Sequence, residues 1–248
     1  MTATVPPEPL SPAVAELAVR YELGALTATF KPQRFGWFVK SSYYFLLFML
    51  LVFFVVPAVV FWYGWLRRTP DFNPRQAAKR LHLFEHGMIA DEENGTGTVA
   101  VRWDQIRLYE EQVQKIVNGI RFPIEYTCLA KGPRASVTVT NFYQGSGTWA
   151  PALQKAVLRA QGTGAQQAYL TGDLLDFGPF DLSTAGITHG KQLLPWSELE
   201  QVQLSGGLAG TAVTVMKRGE SAFWARAATN SVPNLQLFVA LVNTCSKA

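Results

Sequence analysis

Twenty-four consecutive residues, Tyr43 to Leu66, carry no charge. At about 1.5 Å per residue a helix of that length reaches roughly 36 Å, enough to cross the hydrocarbon layer of a bilayer. A soluble helix that is apolar on every face over such a length is rare. Aromatic residues gather at its ends, Trp37, Tyr43 and Tyr44 on one side and Trp62, Tyr63 and Trp65 on the other, where amphipathic rings favour the headgroup level. The run is therefore expected to be a membrane segment bordered by an aromatic belt, and the chain an integral membrane protein. A cleavable signal peptide does not fit: the run follows a Pro-rich tail and ends in Tyr-Gly-Trp-Leu-Arg-Arg instead of small residues.

Basic residues surround this run, with Lys31, Arg34 and Lys40 before it and Arg67, Arg68, Arg75, Lys79 and Arg80 after it. Three against five favours a cytoplasmic carboxyl side. The whole chain has 22 Lys plus Arg against 18 Asp plus Glu, and most of that excess lies around the apolar run. This distribution suits anionic headgroups and offers no basic stripe for nucleic acid, which is rejected as a partner. Lys31, Arg34, Lys40, Arg67, Arg68, Lys79 and Arg80 are the candidate contacts to anionic lipid. Two cysteines, Cys128 and Cys245, make neither a disulfide framework nor a Cys-rich zinc site, and a reducing compartment is the simpler reading.

Residues 81 to 248 alternate polar and apolar side chains in short stretches broken by Gly, Asn, Asp and Pro, the pattern of strands and turns. Leu81 to Glu85, Thr98 to Trp103, Ile106 to Tyr109, Ile120 to Leu129 and Ala135 to Phe142 read as strands. Asn94-Gly95 marks a hairpin loop. Trp149, Leu153, Ala156 and Val157 then form the apolar stripe of a helix expected to end before Gly162. The pattern repeats from Ala168 onward and closes with a helix whose apolar face is Leu235, Phe238, Val239 and Val242.

The halves also align by residue. Leu83-Phe-Glu-His-Gly87, followed by Ala100-Val-Arg-Trp103, matches Leu182-Ser-Thr-Ala-Gly186, followed by Leu193-Leu-Pro-Trp196. Gly87, Trp103, Gly186 and Trp196 are the structural signature of the repeat. Strands closed by one helix, twice, with this Gly…Trp phrase, resemble bacterial pleckstrin-homology-like domains, and the whole chain resembles an uncharacterised family of bacterial membrane-anchored proteins. The resemblance implies two tandem barrels, each a bent sheet plugged by its helix. It supplies no activity. The fold class expected is mainly β with C-terminal capping helices, two tandem PH-like β-barrel units and one hydrophobic membrane helix or hairpin.

A further match bears on whether the run is a helix or a hairpin. Tyr21-Glu-Leu-Gly24-Ala-Leu26 through Pro32 parallels Tyr169-Leu-Thr-Gly172-Asp-Leu174 through Pro179, which would make residues near 26 the first strand of the first unit. The apolar run would then interrupt that unit and turn back near Pro57. A single span with Pro57 as a tolerated kink is the default reading, since each arm of a hairpin would reach only about 18 Å and its turn would expose backbone to lipid. The expected organisation is a tail with a short helix and possible first strand (1–42), the membrane segment (43–66), a basic linker (67–80) and two units (81–162 and 163–248). In the tail, Ser11-Pro12 followed by Val14, Leu17, Ala18 and Tyr21 reads as a capped amphipathic helix.

Chemical signatures are poor. Gln144-Gly-Ser146-Gly147 lacks the first glycine of a nucleophile elbow. His82 and His86 on one strand would sit about 13 Å apart, too far for one metal. Asp91-Glu92-Glu93 lacks the alternating ligands of a calcium loop, and Gly206 to Gly210 lacks the Lys of a phosphate loop. The reading is a non-enzymatic, membrane-anchored protein without metal or cofactor, whose two units serve as a protein-interaction or scaffold module at the cytoplasmic membrane face, its partners a lipid bilayer and an unknown protein. The alternatives are a module that responds to anionic lipid and, third, a hydrolase.

Overall fold

The computed structural model describes residues 10–114, 116–117, 120–121, 123–207 and 210–246. The Pro-rich tail before Leu10 and residues 208–209 of the Gly206–Gly210 stretch lie outside them. The chain opens with α1 (Pro12–Arg20), β1 (Leu26–Phe30), α2 (Trp37–Phe53), α3 (Val55–Gly64) and α4 (Pro74–Ala78). The first unit adds β2 (Leu81–Phe84), β3 (Gly87–Asp91), β4 (Thr98–Arg102), β5 (Arg107–Val113), β6 (Ile116–Val117), β7 (Ile120–Arg121), β8 (Glu125–Lys131), β9 (Ser136–Thr140) and α5 (Ser146–Leu170). The second holds β10 (Leu175–Phe177), β11 (Phe180–Ser183), β12 (Gly186–His189), β13 (Gln192–Pro195), β14 (Leu199–Gly207), β15 (Gly210–Lys217), β16 (Phe223–Ala228) and α6 (Leu235–Cys245).

The strands form antiparallel sheets in the orders β1-β2-β3-β4, β5-β8-β9, β10-β11-β12-β13 and β14-β15-β16, with a two-stranded ribbon β6-β7. Each unit is thus a four-stranded sheet facing a three-stranded one, with a helix laid on the shared core. This corrects the expectation of closed barrels and of a mainly β chain: the fold is mixed α/β with separate small sheets. The reason lies in the connections. The turn after Trp103, and the 3-10 turn Trp196–Glu198, send the chain from one sheet to the next without pairing the flanking strands.

Alternation along the strands sorts residues between cores. Leu81, Leu83, Met88, Ala90 and Val101 face β5, β8, β9 and the α5 residues Trp149, Leu153 and Val157. Phe84, Ile89 and Ala100 point the other way and are covered by Val14 and Leu17 of α1. That second cover explains why every residue of β2 is buried. Ser11 caps α1 by accepting from the Val14 amide (3.3 Å).

The repeat signature has one physical role in both units. A β-carbon on Gly87 would lie 2.2 Å from the Val101 carbonyl oxygen, and one on Gly186 would lie 2.1 Å from that of Leu194, so only glycine lets the neighbouring strand approach. The Trp103 indole donates to the Phe84 carbonyl (3.1 Å) and Trp196 to that of Ser183 (3.0 Å). In each case the acceptor lies three residues before the glycine. The strand β1 pairs with β2 as β10 pairs with β11, so the amino-terminal strand belongs to the first sheet.

The helix expected to stop before Gly162 continues through Gly162 and Gly164 to Leu170. Two glycines inside a helix cost about 1 kcal/mol each relative to alanine, and packing offsets this: Leu158 and Ala165 lie against the second core while the first half of α5 lies in the first. The residues from Ala168 read as a strand are the end of this helix. The units are also stitched by Asn234, which holds φ 52°. Its amide donates to the Leu108 carbonyl (2.8 Å), and its side-chain oxygen accepts from the Leu108 amide (2.8 Å). One residue thereby satisfies both backbone groups of Leu108. Its Nδ2 donates to Gln161 (2.9 Å), whose own amide donates to the carbonyls of Trp103 and Ile106.

Replacing Asn234 by Ala strands the Leu108 amide and forces a β-carbon without a local polar partner into the left-handed region, so Asn234→Ala is expected to lose about 3 kcal/mol in chemical denaturation of the full chain. Asn234→Gly keeps the backbone freedom and loses about 1 kcal/mol less.

Candidate functional site

The apolar run leaves the first unit between β1 and β2. After β1 the chain is tied down by hydrogen bonds from the Gln33 amide to Phe142 (2.6 Å) and from the Gln144 amide to Lys31 (2.8 Å). Then α2 begins. The helix breaks at Phe54, where φ is −150° and ψ 81°, and α3 follows. Pro57 supplies the cause: its ring would clash with the carbonyl four residues earlier in a continuous helix, whereas in the first turn of α3 its missing amide costs nothing.

The two helices fold back on each other. The rings of Tyr43 and Phe61 are 6.2 Å apart, although a continuous helix would hold those residues roughly 27 Å apart. At the base, Phe72 meets Tyr43 edge-on (6.2 Å) and Tyr44 edge-on (5.0 Å). Asp71, its side chain 4% exposed, accepts from the Phe35 amide (2.7 Å) and pairs with Lys40 (3.6 Å). That carboxylate ties the entry of the hairpin to its exit.

The single membrane-crossing helix is corrected by this geometry. Broken at Phe54, the run yields helices of 17 and 10 residues, and among the described residues no helix is long and apolar enough to cross a membrane. The expectation of an integral membrane protein is therefore not supported. What the sequence run encodes is a helical hairpin whose sides are open to solvent. Phe48 and Val52 are each 57% exposed and Val56 is 73% exposed. At the turn the Phe54 amide donates to Leu50 (2.7 Å) and the Phe54 carbonyl accepts from Ala58 (3.1 Å), so both backbone groups of the residue at the break have partners.

The structure gathers most of the candidate lipid contacts at the base of this hairpin. Lys31, Arg34, Arg67 and Arg68 are exposed there, Lys40 is half-buried beside Asp71, and Arg67 lies over the Tyr63 ring (5.4 Å). Trp37, Tyr44, Trp62, Tyr63 and Trp65 are exposed in the same zone, whereas Tyr43 packs inward. Lys79 and Arg80 are instead engaged by backbone carbonyls. The Lys79 ammonium is buried and donates to the carbonyls of Glu92 (2.6 Å), Glu93 (2.9 Å) and Gly95 (2.9 Å), and burial lowers its pKa against the opposing pull of Asp91, Glu93 and Glu92. Arg80 donates to Ala77 and Lys79 carbonyls. Lys79 thus holds the β3–β4 loop, and Arg80 holds the end of α4.

Three features escape sequence reading. The role of Asp71 is one, although an isolated acid among the basic residues 67–80 was a visible signal. The second is Glu110, which alternation along β5 points into the core. It is 5% exposed, accepts from Gln154 of α5, and sits opposite Cys128 in the strand register. Burial pushes the Glu110 carboxyl up to about 7, and burial next to Glu110 pushes the Cys128 thiol up to about 12. The third is Gln76, whose Oε1 is buried without a hydrogen-bond partner. Of the other candidates, His82 bonds Thr29 (2.9 Å) and His189 the Pro179 carbonyl (2.9 Å). Ser146 begins α5.

By fold and site, this is a two-unit sandwich protein whose first sheet carries an inserted apolar helical hairpin. The chain belongs to the family of unknown function DUF6585, whose profile matches residues 12–248. No curated protein and no solved structure matches it.

Because Glu110 binds its proton more tightly when folded than at the ordinary carboxyl value of 4.5, its charge opposes folding above that value. Stability is expected to fall as pH rises from 4.5 through 7 and to level off above, by about 3 kcal/mol in all. Glu110→Gln keeps a partner for Gln154 and removes the charge; it should flatten this segment of the pH profile and be the more stable form at pH 8 in denaturant titrations.

Proposed function

We propose that the protein docks on a lipid surface by embedding its helical hairpin in one leaflet, without crossing, and presents its two sandwich units there as a non-enzymatic interaction module. The observation that carries this reading is the hairpin itself: uncharged from Ser41 to Leu66, open on its sides, and ringed at its base by Trp and Tyr and by Lys31, Arg34, Arg67 and Arg68. Its dimensions suit half a bilayer. The ten residues of α3 rise about 15 Å and the uncharged part of α2 about 20 Å, against a leaflet core of roughly 15 Å. Aromatic rings at the base fall at the headgroup level, and the basic groups outside them face anionic headgroups.

The repeated order of four strands, three strands and a closing helix supports reading each unit as pleckstrin-homology-like. The edge strands β4 and β9 of the first unit leave backbone groups where a peptide strand could add. Glu110, Cys128 and Tyr143, whose pKa values burial displaces, all lie inside the packing, which supports a binding role over a catalytic one.

Flotation with sealed phosphatidylcholine vesicles tests the proposal on the full chain. Wild type is expected to float, and a Phe48→Asp, Val52→Asp, Val56→Asp variant to lose more than tenfold in binding, each charge being costly in hydrocarbon, with an unchanged circular dichroism spectrum. Equal flotation of the variant would overturn the proposal. So would a discrete wild-type dimer that shields these residues and ignores vesicles, since the hairpin would then be covered by a second copy.

A further inference from the structure

The exit of the hairpin forms one wall of a cleft that the repeat does not share. Residues 67–79 make one side and the β3–β4 loop the other, enclosing about 700 Å3 lined by Arg67, Asn73, Arg75, Gln76, Asn94 and Thr96 among others. A smaller space of about 190 Å3, bordered by Arg68, Gln76 and Asn94, adjoins it. The cleft lies against the hairpin base, at the depth where headgroups would stand. Its place in the second unit is taken by the tight turn between β10 and β11, so the site belongs to the insertion and not to the repeated fold.

Its chemistry is specific. Among the described residues no carboxylate pairs with Arg67 or Arg75, so two guanidinium groups border the cleft without an ion-pair partner. Asp91 is the one carboxylate in the lining, and both its oxygens are engaged, with the Arg80 amide (2.8 Å) and the Thr98 hydroxyl (2.6 Å). Lys79 adds positive charge while its ammonium is held by loop carbonyls. Gln76 contributes the opposite need, a buried Oε1 that accepts from nothing. A buried acceptor left without a donor costs about 1–3 kcal/mol; the atom is out of reach of water, so a ligand hydroxyl satisfies it once the Gln76 amide turns toward the cleft that the residue lines. An ammonium would donate as well, but in the lining Arg67, Arg75 and Lys79 outnumber the Asp91 carboxylate.

We propose that this cleft binds a phosphodiester carrying free hydroxyls, the chemistry of a phosphatidylglycerol-type headgroup, with the phosphate between Arg67 and Arg75 and a hydroxyl on Gln76. The assignment rests on the lipid-surface reading above and adds headgroup selectivity to it. Guanidinium groups suit the phosphate because they offer paired donors in a fixed plane. Selectivity among lipids of equal charge then comes from Gln76, since diffuse attraction between a basic collar and an anionic surface does not distinguish headgroups.

The test is flotation of the full chain with vesicles of phosphatidylcholine alone, or with one-fifth phosphatidylglycerol or one-fifth phosphatidylserine. Binding to phosphatidylcholine reports the hairpin, and its failure would remove the lipid-surface reading itself. The cleft is read from the increment: about tenfold tighter binding with phosphatidylglycerol, less with phosphatidylserine. Arg67→Gln with Arg75→Gln should abolish the increment and leave phosphatidylcholine binding in place. Gln76→Leu should equalise the two anionic lipids. Lys155→Gln with Arg159→Gln, the same charge loss on the exposed face of α5, should change neither. Equal wild-type binding to both anionic lipids, or an increment that survives the arginine pair, would overturn the proposal. Competition by millimolar glycerophosphoglycerol would support the site and show that it takes the free phosphodiester; a retained increment without competition would support it for the lipid-borne group.

Discussion

The antiparallel pairing of β1 with β2 is the constraint from which the rest of the amino-terminal half follows. Residues 26–30 and 81–84 lie side by side in one sheet, so everything between them must return to where it left. An apolar run of 24 residues could reach across a bilayer if nothing held its ends. Held by this pair, it has to reverse. Pro57 sets where the helix breaks, Asp71 locks Phe35 and Lys40 on the entering side to the exit, and the Phe72 ring fills the space between. Local chemistry and topology agree, the consistency expected of a sequence that specifies one structure.

Seen this way, the two units differ mainly at one connection. In the second, β10 and β11 are joined by a short turn in which Asp176 accepts from the Gly178 amide (2.7 Å). In the first, the same position holds the hairpin, the arginine-bearing linker and α4. The insertion leaves the sandwich intact because both its ends emerge at one edge of the sheet. The hairpin, the cleft beside it and the duplicated units are thereby joined: α5 runs from one core to the other, and Asn234 completes the backbone bonding of Leu108 across the boundary.

Much of this was legible from residue order alone. Period-2 alternation located most strands, Ser11-Pro12 marked the start of α1, and the matched Gly and Trp positions showed the repeat because steric approach and an indole donor are both residue-specific. What stayed hidden depends on distance in space. The charge-free run reads identically as one helix or two, since hydropathy carries no information about chain reversal, and only the weak match at residues 21–32 pointed to the hairpin. Alternation cannot say whether two sheets close into a barrel or face each other as a sandwich. Gly162 looked like a helix end because propensity is local, whereas the packing of Leu158 and Ala165 that carries α5 onward is not. The engagement of Lys79 and Arg80 by backbone carbonyls, and the burial of Glu110, likewise needed the neighbours that only the fold brings together.

The account is tested most directly by the depth of the hairpin in a bilayer. A Cys128→Ser, Cys245→Ser chain with one cysteine at Val56, carrying an environment-sensitive fluorophore, would be bound to sealed vesicles, and the same label would be placed at Arg34 and at Arg68 in separate chains. The expected result is quenching of the Val56 label by bromine on mid-leaflet acyl chains and no quenching by iodide on either side, while iodide outside the vesicle reaches both base positions. Iodide trapped in the lumen reaching the Val56 label, or one base position shielded while the other is open, would mean that the hairpin does not turn back within a leaflet and would contradict the account.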